Sequence, residues 1–186
     1  MNNERILRLR RLSVVPRWAV IPTVCNQNVA EHSFHVCSLV LWLADRSAAV
    51  ARGSVTREQL MYAALFHDES EALTGDIAAP AKRWMDKSQF DDLSERLGIL
   101  EFEDDNIKSI IKVADLMEAL VFLHEEKAQG NDSVQRIKLD VFNNLAVAWA
   151  GFEYYGESHK PGACEIVREI LSHLNATRHP CVEQGQ

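Results

Sequence analysis

The stretch HDESEALTGD, residues 67–76, places a histidine and four carboxylates immediately after the apolar run MYAALF, residues 61–66. A helix advances by about 100° per residue, so part of this polar group continues the apolar face of the preceding helix. That inward face comprises Leu60, Ala63, Ala64, His67, Asp68 and Glu71. Ionised groups inside a protein need a compensating partner, which other parts of the chain must supply.

Two more predicted helices each turn a polar side chain toward the core. His32 shares its stripe with Val36, Leu39 and Leu43, and Asp115 shares its stripe with Ile111, Ala119 and Phe122. One divalent cation would compensate all of these buried polar groups. Two imidazoles and two carboxylates suit Zn²⁺, Mn²⁺, Co²⁺ or Fe²⁺ and leave positions open for water and substrate, which favours metal-assisted hydrolysis.

Each of these segments also has a simpler explanation. A single inward histidine such as His32 is more often a hydrogen-bonded core residue than a metal ligand. A helix of Ala and Leu with an acidic last turn can simply run out into solvent. The three segments together favour the metal site over these separate explanations.

Apolar residues recur at helical spacing along almost the whole chain, and no Asn-Gly or Asp-Gly hairpin joins alternating segments. The pattern predicts an all-α fold of about six to eight helices, with residues 1–186 in one domain. Capping boxes at Asn28/Glu31 and Thr56/Gln59 mark two helix starts. The predicted helices cover about residues 3–13, 28–50, 56–74, a short one from Pro80, 105–129, 133–155 and 161–175, with 86–105 unassigned and a polar tail at about 176–186.

Composition and charge disfavour several classes of function. The net charge of −7 and the pI near 5.5 disfavour a nucleic-acid polymer as partner, because phosphate contacts need clustered Lys and Arg. No apolar run approaches the roughly 20 residues of a membrane-spanning helix. The four cysteines show no CxxC spacing, and no apolar segment precedes a small-residue cleavage site, so we expect a cytoplasmic protein with reduced thiols.

The N-terminal segment RILRLRRL, residues 5–12, contains four arginines. We interpret it as a solvated helix face that covers the core through Ile6, Leu9 and Leu12, because charged runs usually stay in water. Contact with nucleic acid or with an acidic membrane surface is the alternative. The positive charge would also attract anionic nucleotides.

Four sequence blocks carry a family resemblance: RW at 17–18, NVAEHS at 28–33, HDESEALTGDIAAPAK at 67–82 and KVAD at 112–115. With the ordered set His32, His67-Asp68 and Asp115, they resemble the HD-domain metal-dependent phosphohydrolases. The blocks look like the 5′-deoxynucleotidase branch and the phage dATP triphosphohydrolases of the same fold. The resemblance spans about residues 5–130. The segment at about 86–105 is shorter than in bacterial 5′-deoxynucleotidases, which favours the phage type.

The resemblance implies an HD-domain helical bundle that holds one or more divalent metal ions, with Zn²⁺, Mn²⁺, Co²⁺ and Mg²⁺ as candidates. The implied metal ligands are His32, His67, Asp68 and Asp115. Glu71 would orient or deprotonate the attacking water, and Asp68 would share the catalytic role through the metal. A base in this role must reach the nucleophile without being neutralised by the metal.

The resemblance also implies the residues that bind substrate. Arg17 would grip the phosphate, because a guanidinium binds two oxygens at once. Lys82 and Lys112 would add positive charge there, although surface exposure explains either lysine equally well. Trp18 would exclude a 2′-hydroxyl and Asp76 would bind the 3′-hydroxyl, and their simpler roles are a core anchor and a helix cap. Thr74 would shape the turn that presents Asp76, and Pro80 would border the base.

The implied reaction is hydrolysis of the 5′-phosphate or 5′-triphosphate of a small 2′-deoxynucleotide. The choice between mono- and triphosphate stays open, because the same bond at the α-phosphorus breaks in both. Two other classes remain: a di-iron oxygenase on the HD scaffold and a non-catalytic nucleotide-binding sensor. A homo-oligomer, a dimer or higher, is expected from the resemblance. Core packing explains the candidate interface residues equally well: Trp149, Phe152, Tyr154 and Tyr155. If the chain is phage-encoded, we expect it in the host cytoplasm.

Overall fold

In the computed structural model the chain is helical, as its apolar spacing predicts. The structure describes residues 3–82, 84–86, 88, 92, 95–96, 104–156 and 160–176, and the side chains at 79, 80 and 173–176 lie outside this description. Within it, strand-type pairing is limited to two isolated bridges, Pro16 with Asn28 and Ser47 with Tyr154. The helices are α1 (Asn3–Arg11), α2 (Val29–Ala44), α3 (Ala48–Ala51), α4 (Arg57–Phe66), α5 (Glu71–Thr74), α6 (Ala79–Lys82), α7 (Asp105–Ala128), α8 (Gln135–Gly151) and α9 (Ala163–Ala176).

The two predicted capping boxes are confirmed at the starts of α2 and α4. The Asn28 side chain accepts a hydrogen bond from the Glu31 backbone N–H, and the Thr56 side chain does the same for Gln59. The prediction that α2 continues to about residue 50 is wrong. It stops at Ala44, and Ser47 caps the separate helix α3 by accepting from the Val50 N–H.

The prediction of one continuous helix over 56–74 is also wrong, because residues 67–70 form a turn between α4 and α5. The turn is closed by short-range backbone bonds: Glu69 N–H donates to the Phe66 carbonyl at 3.1 Å, and Glu71 N–H donates to the Asp68 carbonyl at 3.0 Å. This break sets His67 and Asp68 at the end of α4, where side chains have more freedom to converge on a common point.

The core lies between α2, α4 and α7, and α8 covers the remaining side of α7. Trp149 and Phe152 are buried in this core, whereas Tyr155 is exposed. The first two therefore serve core packing rather than an interface. A second small cluster of Phe122, Leu123 and Val134 packs against Trp18 and Ile21. Within the described residues no helix combines the length and apolar character needed to cross a bilayer.

The predicted role of residues 5–12 as a solvated basic face that covers the core is confirmed in part. Arg10 and Arg11 are exposed and Leu12 is buried, whereas Ile6 is 46% exposed. Instead Arg5 and Arg8 turn inward to a fully buried carboxylate, Glu69, with side chains only 11% and 13% exposed. Arg5 Nη2 donates to Glu69 Oε2 and Arg8 Nη2 to Glu69 Oε1, both at 2.6 Å. These ion pairs fasten α1 to the turn that carries His67 and Asp68.

Removing the Glu69 carboxylate is expected to destabilise the fold. Glu69→Ala leaves Arg5 and Arg8 without the charge that compensates their burial, which costs about 3 kcal/mol of unfolding free energy. Urea denaturation followed by circular dichroism measures this loss. The matched control is Glu153→Ala, whose ion pair with Arg52 is exposed on both sides and contributes less than about 1 kcal/mol. Equal losses in the two variants would contradict a stabilising role for the buried pairs.

Candidate metal centre

Four side chains from three segments converge at one end of the core. His32 comes from α2, His67 and Asp68 from the end of α4, and Asp115 from α7. Ligand-capable atoms of His32, His67 and Asp68 all lie within 4.8 Å of one another. His32 Nε2 is 3.3 Å from His67 Nε2 and 3.3 Å from Asp115 Oδ1, and His67 Nε2 is 3.1 Å from Asp68 Oδ2. The structure thus brings the four predicted ligands together.

Both imidazoles are oriented so that their Nε2 atoms face the cluster. His32 Nδ1 contacts Glu118 Oε2 at 2.6 Å, and His67 Nδ1 contacts the Ala64 carbonyl at 2.7 Å. Partners of this kind on Nδ1 fix the tautomer that leaves Nε2 free for a metal. Because two nitrogens and two carboxylates meet in a largely buried space, the donor set fits a borderline divalent cation.

The pKa values show how the charges balance without a cation. Burial lowers the pKa of His67, but the adjacent Asp68 carboxylate outweighs it and raises the pKa to about 9. Burial likewise opposes ionisation of Asp68 and Asp115, yet His67 and His32 respectively hold the pKa of each carboxyl well below its usual range. Protons on the imidazoles therefore occupy the electrostatic role that a bound cation would take.

Glu71 lies one turn beyond Asp68 and is buried. Its Oε1 accepts a hydrogen bond from Lys82 Nζ at 3.1 Å, while its Oε2 has no hydrogen-bond partner among the described residues. Burial raises the pKa of Glu71, the nearby Asp68 charge adds to the effect, and the pKa reaches about 7. A carboxylate that titrates near neutral pH with one free oxygen is suited to accept a proton from water.

Arg17 points its guanidinium toward the same cluster. Its Nη1 is 3.8 Å from Asp68 Oδ2, and both Nε and Nη1 are buried without a hydrogen-bond partner among the described residues. Buried donors without partners are rare in folded proteins. A guanidinium with unsatisfied buried donors, beside the four predicted ligands, is suited to bind an anionic group such as phosphate.

Trp18 occupies an unusual backbone conformation next to Arg17. Its φ of 62° lies in the left-handed region, and its ring stacks on Phe122 at 5.3 Å between centroids. The Trp18 backbone N–H donates to Asp76 Oδ2 at 3.3 Å, and its indole N–H donates to Gln27 Oε1 at 3.2 Å. The structure thus joins two of the predicted sugar-binding residues, Trp18 and Asp76, beside Arg17.

The remaining predicted residues differ in how they relate to the cluster. Lys82 contacts Glu71, and Lys112 contacts Asp115 at 3.4 Å with a side chain that is 59% exposed. Within the described part of the chain, the Thr74 hydroxyl donates to the nearby carbonyls of Ser70 and Gly75, which agrees with a role in the turn. The side chain of Pro80 lies outside the described residues.

Glu118 and Gln27 belong to the site but were not predicted from sequence. Glu118 is buried, and besides His32 it accepts a hydrogen bond from Gln27 Nε2 at 2.6 Å. Burial opposes its ionisation, but the His32 contact lowers the pKa of Glu118 to about 2. Its position three residues after Asp115 places it on the same inward stripe of α7, which was the available sequence signal.

Comparison with known proteins gives concordant results. The model of the family described as 5′-deoxynucleotidase YfbR-like matches residues 6–90. A dATP triphosphohydrolase of Salmonella phage PMBT28 is 34% identical over 125 residues, covering 63% of this chain and 64% of that protein. The 5′-deoxynucleotidase YfbR of Escherichia coli O1:K1 is 30% identical over 145 residues, covering 67% of this chain and 73% of that protein.

Solved structures share the fold. A cyanophage S-2L HD phosphohydrolase (DatZ), bound to dA and one catalytic Zn²⁺ ion, aligns with a TM-score of 0.59 at 19% identity, covering 92% of this chain and 96% of that one. A conserved hypothetical protein of Pyrococcus furiosus aligns with a TM-score of 0.60 at 19% identity, covering 95% of this chain and all of that one. The sequence relatives and the HD-type cluster together show that the chain belongs to the YfbR-like 5′-deoxynucleotidase family of HD-domain phosphohydrolases.

Proposed function

We propose that this protein hydrolyses the bond between the 5′-oxygen and the α-phosphorus of 2′-deoxynucleotides. The observation that carries the proposal is the convergence of His32, His67, Asp68 and Asp115 beside Arg17, whose buried Nε and Nη1 atoms have no hydrogen-bond partner among the described residues. Metal-assisted hydrolysis of a phosphate ester uses side chains that hold the metal ion and, next to them, a positively charged side chain that binds the phosphate. The sequence relatives, named as deoxynucleotide hydrolases, support the same class of reaction.

In this mechanism the four ligands would hold a divalent cation that supplies Lewis-acid activation of water and of a phosphoryl oxygen. Glu71 would accept the proton of the attacking water through Oε2, the oxygen that Lys82 leaves free. Arg17 would bind the phosphate oxygens through Nε and Nη1 and offset the charge that develops during attack. Glu118 would keep His32 in the ligating orientation.

Deoxyribose recognition would fall to the Trp18–Asp76 pair. The Trp18 ring is fixed by stacking on Phe122, so a sugar packed against it would have little room for a 2′-hydroxyl. Asp76 already accepts from the Trp18 backbone N–H, and its remaining acceptor capacity would serve the 3′-hydroxyl. This arrangement supports a preference for deoxynucleotides over ribonucleotides.

Between a monophosphate and a triphosphate substrate, we propose the triphosphate. The phage dATP triphosphohydrolase is the more similar of the two relatives described above, at 34% against 30% identity. Lys82 contacts Glu71, and Lys112 contacts the cluster carboxylate Asp115. The positive charge of these two lysines would support binding of the outer phosphates of a triphosphate. The metal would be Zn²⁺, Mn²⁺, Co²⁺ or Mg²⁺, and the donor set fits the first three best.

The di-iron alternative would need additional histidine ligands. Among the described residues, the group whose ligand-capable atoms all lie within 4.8 Å of one another consists of His32, His67 and Asp68, and Asp115 joins it through its 3.3 Å contact with His32. His35 contacts Glu118 and His124 contacts Lys138, so neither turns its contacting nitrogen to the cluster. The contacts therefore favour a phosphohydrolase over a di-iron oxygenase.

The experiment that tests the function is a substrate panel. Purified protein is incubated with Mn²⁺, Co²⁺ or Zn²⁺ and with dNMPs, dNTPs and the matching ribonucleotides, and the products are separated by chromatography. Inorganic triphosphate and nucleoside from dATP are the expected products. Nucleoside from dNMPs alone would replace the triphosphate assignment by a nucleotidase. Turnover of no nucleotide would contradict the proposal and favour a sensor.

Metal affinity is expected to rise with pH. His67 carries a proton with a pKa of about 9 in the metal-free protein, and a cation must displace that proton to bind. Affinity for Mn²⁺ should therefore increase by up to about tenfold per pH unit from pH 7 to 9. Because folding raises the His67 pKa, the protonated imidazole adds to the free energy of unfolding of the metal-free protein. This contribution is fully present below pH 6.5 and is lost as the pH rises through about 9. Calorimetric titration of the metal at several pH values measures the first effect, and a flat affinity would contradict it.

We also propose that the protein forms a homo-oligomer and acts in the cytoplasm. Exposed apolar side chains on α8, Leu139 and Val147, support self-association. Light scattering coupled to size-exclusion chromatography measures the mass, and a monomer at micromolar concentration would contradict the proposal.

A further inference from the structure

One face of α7 runs from the metal ligand to the far end of the substrate-binding segment. Asp115, Glu118, Phe122 and Glu126 are spaced by three or four residues, which places them on one side of the helix. Each of the last three contacts residues 16–28, termed the recognition segment because it contains Arg17 and Trp18. Glu118 contacts Gln27, Phe122 contacts Trp18, and Glu126 contacts Val24 and Cys25.

Glu126 is fully buried, and its carboxylate accepts hydrogen bonds from two backbone N–H groups of this segment. Oε2 accepts from the Val24 N–H at 2.7 Å, and Oε1 accepts from the Cys25 N–H at 2.7 Å. Asn131 Nδ2 donates to Oε2 at 2.7 Å and to the Pro22 carbonyl at 2.9 Å. None of the ion pairs within the described ranges involves Glu126. A buried carboxylate that loses its hydrogen-bond donors costs free energy. The amide donors are therefore held in position around it.

The recognition segment needs these stabilising contacts because Trp18 has a strained backbone conformation. A bulky residue with φ of 62° is strained, and such a conformation persists only when the surrounding contacts over-determine it. At its base the segment is closed by the Arg17 N–H bond to the Gln27 carbonyl at 2.8 Å and by the Pro16–Asn28 bridge. At its tip the carboxylate of Glu126 supplies the acceptors. The two ends together hold Trp18 on Phe122.

We infer that Glu126 is a positioning residue for sugar selection, which holds the recognition segment so that Trp18 discriminates deoxyribose from ribose without Glu126 touching the substrate. The inference rests on the proposed function. Glu118 contacts both the segment and the metal ligand His32, so its replacement would disturb both. The side-chain hydrogen bonds of Glu126 among the described residues are with Val24, Cys25 and Asn131. Its replacement therefore changes the position of the segment without touching a metal-binding side chain.

The test compares Glu126→Gln with wild-type protein. Glutamine keeps the size of the side chain but presents an NH₂ group to one of the donors, so at least one segment N–H loses its acceptor. The matched control is Glu169→Gln on α9, the same change in an exposed carboxylate that pairs with Arg46. Asn131→Ala is the second variant, because it keeps the Glu126 carboxylate and removes the Nδ2 group that bridges Glu126 Oε2 and the Pro22 carbonyl, together with the Oδ1 acceptor of the Ser133 N–H. All four proteins are assayed with dATP and ATP, and with dAMP and AMP.

For Glu126→Gln we expect the ratio of kcat/KM for the deoxy over the ribo substrate to fall by about tenfold or more. KM for the deoxynucleotide should rise more than kcat falls, and Mn²⁺ affinity should stay within about twofold of wild type, since the ligands are untouched. Amide hydrogen exchange should accelerate in residues 17–27 and not in α2 or α4. Asn131→Ala should change the ratio in the same direction by a smaller factor, and Glu169→Gln should leave it unchanged.

If the wild-type enzyme prefers the deoxynucleotide and Glu126→Gln keeps the same kcat/KM ratio, the inference is overturned and the proposed function stays intact. The same holds if Glu126→Gln loses metal affinity by as large a factor as it loses discrimination. Should Glu126→Gln fail to fold, an unchanged ratio in Asn131→Ala would overturn the inference. Wild-type protein that shows no deoxynucleotide preference would instead overturn the sugar-selection part of the proposed function, and the inference with it.

Discussion

Asp68→Ala is expected to abolish measurable metal binding and to lower kcat by about 10⁴-fold or more, which corresponds to about 5 kcal/mol of transition-state stabilisation. Asp68 is central to the cluster, since its Oδ2 lies 3.1 Å from His67 Nε2, 3.5 Å from His32 Nε2 and 3.8 Å from Arg17 Nη1. Calorimetric metal titration and steady-state kinetics measure the two losses.

A second readout of Asp68→Ala does not depend on activity. The Asp68 carboxylate is the main group that raises the pKa of His67 to about 9 against the effect of burial. In the metal-free variant that pKa should fall toward the ordinary value near 6.5, as observed by NMR titration of the imidazole. Asp45→Ala is the control, because Asp45 forms an exposed pair with Arg57. Full metal affinity in Asp68→Ala would contradict the proposed ligand set.

Glu71→Gln is expected to lower kcat by about 10²- to 10⁴-fold, the usual contribution of a general base. Metal affinity should change little, since Glu71 contacts Lys82 rather than the cluster of Nε2 atoms. Glu58→Gln, on the exposed face of α4, is the control for the same chemical change. Kinetics at saturating metal measures the effect, and a loss of metal affinity that accounts for the whole defect would instead identify Glu71 as a ligand.

The same variant should change the pH profile. Wild-type kcat is expected to fall below about pH 7, where Glu71 takes up a proton and can no longer accept one from water. A bound cation favours the ionised carboxylate, so this acid limb lies at or below pH 7 in the loaded enzyme. The residual activity of Glu71→Gln should lack the limb. If kcat of the variant still falls at the same acidic pH, the titrating group responsible is one other than Glu71.

Helical periodicity in the sequence predicted which faces of α2, α4 and α7 point inward. The same arithmetic placed His32, His67 and Asp115 on those faces, and the structure brings them together. Local patterns suffice for this because capping boxes and amphipathic stripes are encoded within a few residues. The roles of these side chains as metal ligands stay predictions until a metal is bound.

The long-range contacts of two other buried carboxylates, Glu69 and Glu126, were not predicted from the sequence. The turn at 67–70 interrupts a continuous helical pattern, and Glu69 within it is compensated by Arg5 and Arg8, more than sixty residues earlier. Likewise Glu126 looks like a surface carboxylate of a helix end, but its acceptors serve backbone groups about one hundred residues away. The sequence alone does not show which residues compensate a buried carboxylate, because burial and pairing are properties of the folded chain.

A crystal structure of the Mn²⁺-loaded protein with anomalous scattering data would locate the cation. We expect one anomalous peak within coordination distance of His32 Nε2, His67 Nε2, Asp68 and Asp115. A peak elsewhere on the protein, or none between these four side chains at saturating Mn²⁺, would contradict this expectation.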